Sequence, residues 1–369
     1  MTRQSIPRTA SSNQHSSPAN WPANPVICID MRAFAISVLG ILLIAGVVGS
    51  GESRAATAMR LTFDRPLDAS FAPFILAANK GLFRDEDLSV TTDIAKNTND
   101  AIARVASGDR DVALADINAL ARYRDGDAAA PVKAIFVLFN KAPYSVIARR
   151  SRGVNALADL EGRVLGVAED DLSIRFWPAV ARLNGIKLDK IKIEKIGLAV
   201  REPMLSAGQI DAATGFSYLA PVNMRNRGIP ANDLAVFQLS EYGSEAYGAA
   251  LIVNPKFAAG RPDAVRGLVR AVITGLKLVA RDPARAMDDI ISQIEGANRD
   301  LEFERLRTVM RDNILTDEVK RDGFGGIDGK RFASALAQLS EDFKLKKPAT
   351  AADIFDPSFL PAADMRRPD

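Results

Sequence analysis

Cysteine and histidine are almost absent from this sequence of 369 residues. Its single Cys, Cys28, and its single His, His15, both precede an apolar run that begins at residue 33. If the chain is cut after that run, the remaining protein contains neither residue type. This would exclude Ser-His-Asp and Cys-His nucleophile systems, thiolate or imidazole metal sites and CxxC redox pairs. We therefore predict no metal, no cofactor and a fold held by its core without disulfides.

An excess of one charge is also lacking. The chain has 48 Lys and Arg against 45 Asp and Glu, a net charge of +3. Residues 1–58 hold four Arg against Asp30 and Glu52, so the rest of the chain is close to neutral. No basic run, Walker-type phosphate loop or G-x-G-x-x-G motif is present. Nucleic acid is therefore not an expected partner.

The N-terminal part predicts export. Residues 33–49 are continuously apolar and directly follow Arg32, a length at the short limit for spanning a bilayer. Small residues between 50 and 58 then fit a signal-peptidase site. We predict a disordered leader and signal peptide over 1–58, cleaved near Ala58, and a periplasmic protein. The alternative is a retained membrane anchor through 33–49, and translation from Met31 would give a more ordinary signal peptide.

Short β-prone runs alternate with helical patterns through most of the remaining chain, which predicts an α/β fold with mixed sheets flanked by helices. Strands are predicted at 60–63, 88–92, 112–115, 131–139, 163–167, 191–196 and 212–216, with helices between them at 71–80, 100–107, 174–184 and 200–206. Four longer helices follow, at 263–281, 283–295, 302–313 and 330–343.

A repeated motif indicates two related halves. Residues 108–113 and 208–213 both read G-x-x-D-x-A, and each joins a predicted helix to a predicted strand. Glycine and aspartate are common cap residues, so one such match would carry little weight. Two matches in the same order favour a pair of related α/β lobes.

Four stretches resemble one known family. They are 71–83 (FAPFILAANKGLF), 106–113 (ASGDRDVA), 156–164 (ALADLEGRV) and 206–212 (SAGQIDA), with a weaker match at 354–360. Together they resemble the SsuA/THI5-like (NMT1) family of solute-binding proteins, which serve importers of nitrate, sulfonates, taurine and thiamine precursors. The resemblance covers about residues 59–260.

The resemblance implies a two-lobed, type II periplasmic-binding-protein fold that captures a small molecule between its lobes and closes by a hinge. Lobe 1 would comprise 59–143 and 244–345, lobe 2 would comprise 144–243, and 346–369 would form a tail on the surface. Hinge crossovers are expected near 140–147 and 241–249. The implied partners are the permease subunits of an ABC importer, and the protein is expected to be a monomer.

In such sheets ligands bind outside the carboxyl ends of the strands, near helix N-termini. The loops predicted there are 65–71, 96–99, 116–118, 169–173 and 215–218, and the crossovers add tyrosines. The predicted ligand-binding residues are Asp68, Ser70, Phe71, Asn97, Thr98, Asp116, Asn118, Tyr144, Asp170, Asp171, Ser173, Trp177, Phe216, Tyr218 and Tyr242. The polar ones among them could equally be helix caps, and Trp177 could equally be core.

The predicted loops carry several carboxylates, which oppose an anionic ligand. This favours a neutral or amine-bearing heteroaromatic ligand, such as a pyrimidine precursor of thiamine, with sulfonate, taurine or nitrate as alternatives. The family also includes a thiamine pyrimidine synthase, for which Lys80 could be proposed as the cofactor lysine. That enzyme looks to need a Cys-rich segment and an active-site His. We therefore predict a binding protein and not an enzyme, although an enzyme using carboxylates alone stays open.

Overall fold

Two five-stranded mixed sheets organise the chain. The computed structural model describes residues 55–126, 129–168, 171–346 and 349–369. Their strands are β1 Thr57–Phe63, β2 Leu88–Ile94, β3 Val112–Asp116, β4 Lys133–Val137, β5 Tyr144–Arg149, β6 Val164–Ala168, β7 Lys192–Ile196, β8 Ala212–Phe216, β9 Leu234–Gln238 and β10 Ala249–Val253. The first sheet has the order β2-β1-β3-β10-β4 and the second has the order β7-β6-β8-β5-β9.

The two sheets share one topology. In the first, β1 is parallel to β2 and β3, and β10 is antiparallel to β3 and β4. In the second, β6 is parallel to β7 and β8, and β5 is antiparallel to β8 and β9. The chain leaves the first sheet through residues 138–143 and returns through residues 239–248. We call each sheet with the helices packed on it a lobe, and these two segments the connections.

The helices of the described residues cover the sheets. They are α1 Ala72–Asn79, α2 Leu82–Asp85, α3 Thr98–Ser107, α4 Ile117–Arg124, α5 Trp177–Leu183, α6 Arg201–Ala207, α7 Ala220–Asn226, α8 Pro255–Gly260, α9 Pro262–Arg281, α10 Pro283–Ile290, α11 Arg299–Val309, α12 Asp317–Asp322, α13 Gly329–Phe343, α14 Ala351–Ile354 and α15 Ala363–Arg366. A 3-10 turn at Ser173–Phe176 precedes α5, and a π-helical turn at Met310–Ile314 follows α11. None of these helices is long and apolar enough to cross a bilayer.

The repeated G-x-x-D-x-A motif has the same structural role in both lobes. Gly108 and Gly208 end their helices with φ of 85° and 71°, a region that favours glycine. The Asp111 carboxylate accepts the backbone N–H of Arg60 in β1 at 2.8 Å. The Asp211 carboxylate accepts the backbone N–H of Val164 in β6, also at 2.8 Å. In each lobe the motif therefore ties a central strand to its parallel neighbour.

Two sequence predictions need correction here. The segment 144–147, predicted as part of a crossover, is the start of β5, because Tyr144–Arg149 pairs with β8 and β9 in the centre of the second sheet. The tail 346–369 does not only cover the surface. Phe355 bridges to Ala134 at the edge of the first sheet, and Ile354, Phe355 and Phe359 are buried. Covering the edge strand β4 protects its unpaired backbone groups.

Helix α13 touches both lobes, whereas the sequence placed it with lobe 1. It packs against α4 of the first lobe and against α5 and the turn 173–176 of the second. Its Gln338 side chain donates to the Gly243 carbonyl at 2.7 Å and accepts the Glu245 N–H at 3.0 Å. The helix is thus bonded to the second connection.

The predicted leader lies outside the described residues up to position 54. Strand β1 begins at Thr57, and its first two residues pair with Leu88 and Ser89. Cleavage after Ala58 would remove Thr57 and Ala58 from strand β1. The extent of β1 is therefore evidence about the position of the signal-peptidase cut.

Candidate functional site

A cavity of about 920 Å³ lies between the two sheets. The first lobe lines it with the segment 64–68 after β1, the segment 96–99 after β2, and residues 116, 119 and 122 at the start of α4. The second lobe lines it with residues 168, 171, 172 and 175, the segment 195–198 with Arg201, and residues 215, 216, 219 and 220. Phe139 and Pro143 of the first connection, Tyr144 at the start of β5 and Ala249 at the start of β10 complete the lining. The cavity therefore lies where the carboxyl ends of the parallel strands of both sheets meet.

The wall on lobe 1 is built around the loop after β1. The Asp64 carboxylate accepts Arg65 Nη1 and Thr98 Oγ1, each at 2.8 Å. The Arg65 guanidinium lies 4.6 Å from the centre of the Phe71 ring. Its Nη2 also donates to the Tyr218 hydroxyl of lobe 2 at 3.2 Å. Arg65 thus holds the loop in place and contacts the opposite lobe.

The wall on lobe 2 is built around Asp171. One carboxylate oxygen accepts Arg201 Nη1 at 2.9 Å and Thr214 Oγ1 at 2.5 Å. The other accepts the Ser173 N–H at 2.9 Å. The side chains of Arg201 and Asp171 are only 9% and 8% exposed. This is a buried ion pair whose carboxylate also accepts the first N–H of the turn 173–176.

The floor of the cavity joins the lobes through Asp116. Its carboxylate accepts the Tyr144 hydroxyl of β5 at 2.6 Å and the backbone N–H of Asn118 at 2.8 Å. Burial raises the Asp116 pKa to about 6, against the opposing effect of these hydrogen bonds. Burial also raises the pKa of Tyr144, which therefore stays a hydroxyl donor.

Aromatic rings line the cavity, and two buried N–H donors of lining arginines have no partner in the described part of the chain. Phe139, Tyr144 and Phe216 line the cavity, and the Arg65 guanidinium lies 5.7 Å from the Phe216 ring centre. The Nε–H groups of Arg65 and Arg201 are buried and have no acceptor among the described residues. Buried donors are normally satisfied, so these two are exceptions, and with almost no accessible surface they do not open onto the cavity.

The structure separates the predicted site residues into two groups. Those that line the cavity are Asp68, Asn97, Thr98, Asp116, Tyr144, Asp171 and Phe216. Those that do not line it are Ser70, Phe71, Asn118, Ser173, Trp177, Tyr218 and Tyr242. Asp170 lies outside the described residues.

The second group has structural roles. Phe71 and Trp177 are in the core, at 0% and 3% exposure. Tyr218 is also fully buried, where its hydroxyl meets Arg65. Asn118 and Ser173 hydrogen-bond the carboxylates of Asp116 and Asp171 behind the cavity wall, and Tyr242 packs on Phe237.

The sequence prediction missed the cationic part of the cavity. Arg122, Arg175, Lys195 and Arg201 line it but were not predicted, because nothing in their spacing separates them from ordinary surface residues. The carboxylates of the predicted loops were expected to oppose an anion. In the structure Arg65 pairs with Asp64 at 2.8 Å and Arg201 pairs with Asp171 at 2.9 Å, so those carboxylates no longer oppose an anion.

Two mixed sheets of one topology, two connections and a cavity at facing strand ends define a two-lobed fold of the periplasmic-binding-protein type. The aliphatic sulphonate binding protein SsuA from Escherichia coli has this fold, with a TM-score of 0.67 and 12% identity over 83% of this chain and 94% of that one. The predicted fold class is therefore confirmed. The chain belongs to the NMT1/THI5-like family, whose model matches residues 68–286.

Curated relatives carry both binding and enzyme names. The riboflavin-binding protein RibY of Chloroflexus aurantiacus is 24% identical over 79% of this chain and 82% of its own length. A formylaminopyrimidine-binding protein of Halalkalibacterium halodurans is 23% identical over 88% of this chain and 98% of its own. A 4-amino-5-hydroxymethyl-2-methylpyrimidine phosphate synthase of Legionella pneumophila is 24% identical over 58% and 67%. The predicted family is thus confirmed.

Proposed function

We propose that this protein is exported and captures a planar, nitrogen-containing heteroaromatic molecule between its lobes for delivery to an ABC importer. One observation carries the proposal: both lobes line a single cavity of about 920 Å³, within the range of small-molecule sites. A molecule that contacts both walls favours the closed arrangement, and this is all that hinge capture requires.

The cavity chemistry supports an aromatic ligand with polar edges. The half-buried Phe216 offers its ring for stacking, and the almost fully buried Phe139 and Tyr144 complete the apolar lining beside it. The exposed side chains of Lys96 and Asn97 line the cavity and can donate to ring nitrogen or carbonyl atoms, and the Asp116 carboxylate can accept from a ring N–H or amino group. Donors and acceptors are thus both present, as a heterocycle with amino or amide edges needs.

Contacts between α7 of lobe 2 and α11 of lobe 1 support closure by polar bonds. Arg225 of α7 forms a two-pronged ion pair with Glu304 of α11. Beside it, Arg305 Nη2 donates to Asn223 Oδ1 at 2.6 Å. Both pairs join lobe 2 to lobe 1 and are partly exposed, so they can break when the lobes part.

An enzymatic role has less support. The two relatives named as binding proteins match 79% and 88% of this chain, and the Legionella synthase matches 58%. Lys80, the candidate cofactor lysine, ends helix α1 and pairs with Asp289 at 2.6 Å. It does not line the cavity. Incubation with pyridoxal phosphate should give no stable Schiff-base absorbance, and a stable band would favour the synthase.

The first prediction tests ligand class by thermal shift of the purified protein. The panel contains riboflavin, formylaminopyrimidine and 4-amino-5-hydroxymethyl-2-methylpyrimidine against taurine, an alkanesulfonate and nitrate. A true ligand at 100 times its dissociation constant adds about 2.7 kcal/mol of stability, so a rise on the order of 5 °C is expected for a heterocycle. A rise with sulfonate or nitrate and none with any heterocycle would refute the proposed ligand class.

The second prediction concerns pH and Asp116. Since the ionised carboxylate is the stronger acceptor of a ligand N–H, and its pKa is about 6, affinity should fall below pH 6. Binding of riboflavin, whose ring does not titrate there, is expected to be about tenfold weaker at pH 5 than at pH 7. The Asp116→Asn variant should lose this dependence. Equal affinity at both pH values in the wild type would contradict the role given to Asp116.

The free protein should respond to pH in the opposite direction. The folded-state pKa of Asp116 lies above the unfolded value, so the stability that its protonation contributes is present at low pH and is lost as pH rises through 6. Between pH 5 and 7, ligand affinity therefore rises with pH while the stability that Asp116 contributes falls. These opposite directions distinguish a pH effect on binding from acid unfolding of the free protein.

A further inference from the structure

Positive side chains outnumber carboxylates on the described lining of the cavity. Six are cationic, namely Arg65, Lys96, Arg122, Arg175, Lys195 and Arg201, and four are acidic, namely Asp64, Asp68, Asp116 and Asp171. Arg65, Arg175 and Arg201 form ion pairs with carboxylates. For Lys96, Arg122 and Lys195 no ion pair is found within the described part of the chain. The unpaired positive charge of the cavity lining is thus concentrated on these three residues.

Two arginines from opposite lobes converge on one ring. Arg122 of α4 in lobe 1 has its guanidinium 4.6 Å from the centre of the Phe343 ring, at the end of α13. Arg175 of the turn 173–176 in lobe 2 lies 4.9 Å from the same ring. Asp342 accepts Arg175 at 2.9 Å. The two guanidinium groups, both close to one ring, repel each other. Among the described residues, Asp342 is the one carboxylate that forms an ion pair with either of them.

We propose that the captured molecule carries an oxyanion group, a phosphate or a carboxylate, which is bound between Arg122 and Arg175 while its ring lies against Phe139, Tyr144 and Phe216. The proposal rests on the proposed function, because it names a second part of the same ligand. A guanidinium binds phosphate or carboxylate through paired N–H donors. An oxyanion held there contacts both lobes, so it adds to the closing force as well as to affinity.

The size of the cavity agrees with a ligand of two parts. A volume of about 920 Å³ is near the upper end for small-molecule sites and leaves room beside a single ring. The oxyanion site is also chemically distinct from the rest of the cavity. Arg65, Arg175 and Arg201 each pair with a carboxylate, whereas Arg122 is exposed and has no carboxylate partner among the described residues.

The simpler alternative is that Arg122 and Arg175 only clamp Phe343, since cation–π contacts stabilise a fold without any ligand. The two explanations differ in what a substitution changes. A clamp affects stability and leaves ligand preference as it was. An oxyanion site affects the preference for a charged ligand over its neutral analogue.

The test uses matched ligand pairs that differ in one acidic group. Riboflavin is compared with riboflavin 5′-phosphate, and nicotinamide with nicotinate, by calorimetric titration of the purified protein. At least one charged member is expected to bind about tenfold or more tightly than its neutral analogue, and Arg122→Gln should remove that preference. The matched control is Arg307→Gln, since Arg307 also faces a phenyl ring, at 5.8 Å, but does not line the cavity.

The outcomes distinguish the two proposals. If charged and neutral members bind equally, or if Arg122→Gln weakens both alike, the oxyanion site is refuted and the proposed function stands. If no heterocycle of either pair or of the panel above binds, the proposed function itself fails. If the phosphate pair shows the preference and the carboxylate pair does not, the group is a phosphate, and the reverse identifies a carboxylate.

Discussion

Asp171→Ala is expected to lower the free energy of unfolding by about 3–5 kcal/mol, the cost of removing one partner from a buried ion pair. The substitution leaves the Arg201 guanidinium charged in a site where its side chain is 9% exposed. It also removes the acceptor of Thr214 Oγ1 and of the Ser173 N–H. Urea unfolding of the variant and the wild type measures the difference directly.

A double variant separates the effect of the buried charge on the free energy of unfolding from the effect of side-chain packing. Asp171→Leu combined with Arg201→Met removes both charges, and replacing a buried pair with apolar side chains is often close to neutral. It should recover most of the lost stability. Asp317→Ala is the exposed control, because its ion pair with Lys320 lies in solvent and should cost less than about 1 kcal/mol. A loss from Asp171→Ala as small as that of the control would show that water reaches the pair.

Arg331→Met is expected to cost about 3–5 kcal/mol and to loosen both connections between the lobes. All five N–H donors of this guanidinium are used. They meet the carbonyls of Glu245, Asn140 and Ala246, the side-chain oxygen of Asn140 and the Glu318 carboxylate, at 2.7 to 3.3 Å. Asn140 belongs to the first connection, and Glu245 and Ala246 belong to the second. One side chain of α13 therefore fixes the two segments to each other.

Hydrogen exchange tests this role apart from global stability. Amides in 138–143 and 239–248 should exchange faster in Arg331→Met than in wild type under native conditions, while strands β1 and β6 keep their protection. Lys330→Met, an exposed neighbour on the same helix, should leave exchange in the connections unchanged. Uniform acceleration across the chain would indicate general destabilisation and contradict a local role at the hinge.

The strand-helix alternation and the repeated motif were readable because each depends on local chemistry. Strands such as Val112–Asp116 are short apolar runs, and helices such as Thr98–Ser107 end at a glycine. Gly108 and Gly208 occupy positions with positive φ, which is a local requirement. The strand Tyr144–Arg149 was missed because 144–147 were predicted as part of a crossover, and its place in the sheet depends on β8 and β9, distant in sequence.

The site was predicted only in part for the same reason. Cap-type residues at strand ends, such as Asp116 and Asp171, can be recognised from sequence, and both line the cavity. The aromatic predictions were less successful, because Phe71 and Trp177 pack inside a lobe while Phe139, which was not predicted, faces the cavity. An apolar ring carries no local mark of which side it faces.

The sequence by itself determined the alternating elements, the duplicated lobe motif, the family and the near absence of thiol and imidazole chemistry, since these follow from residue type and spacing along the chain. Only the tertiary structure decided the charge of the cavity. Arg65 reaches Asp64 within one loop, but Arg201 meets Asp171 from thirty positions away, and Arg122 and Arg175 come from different lobes to one phenyl ring of the last long helix. Electrostatic interactions depend on distance and burial, which chain order does not specify.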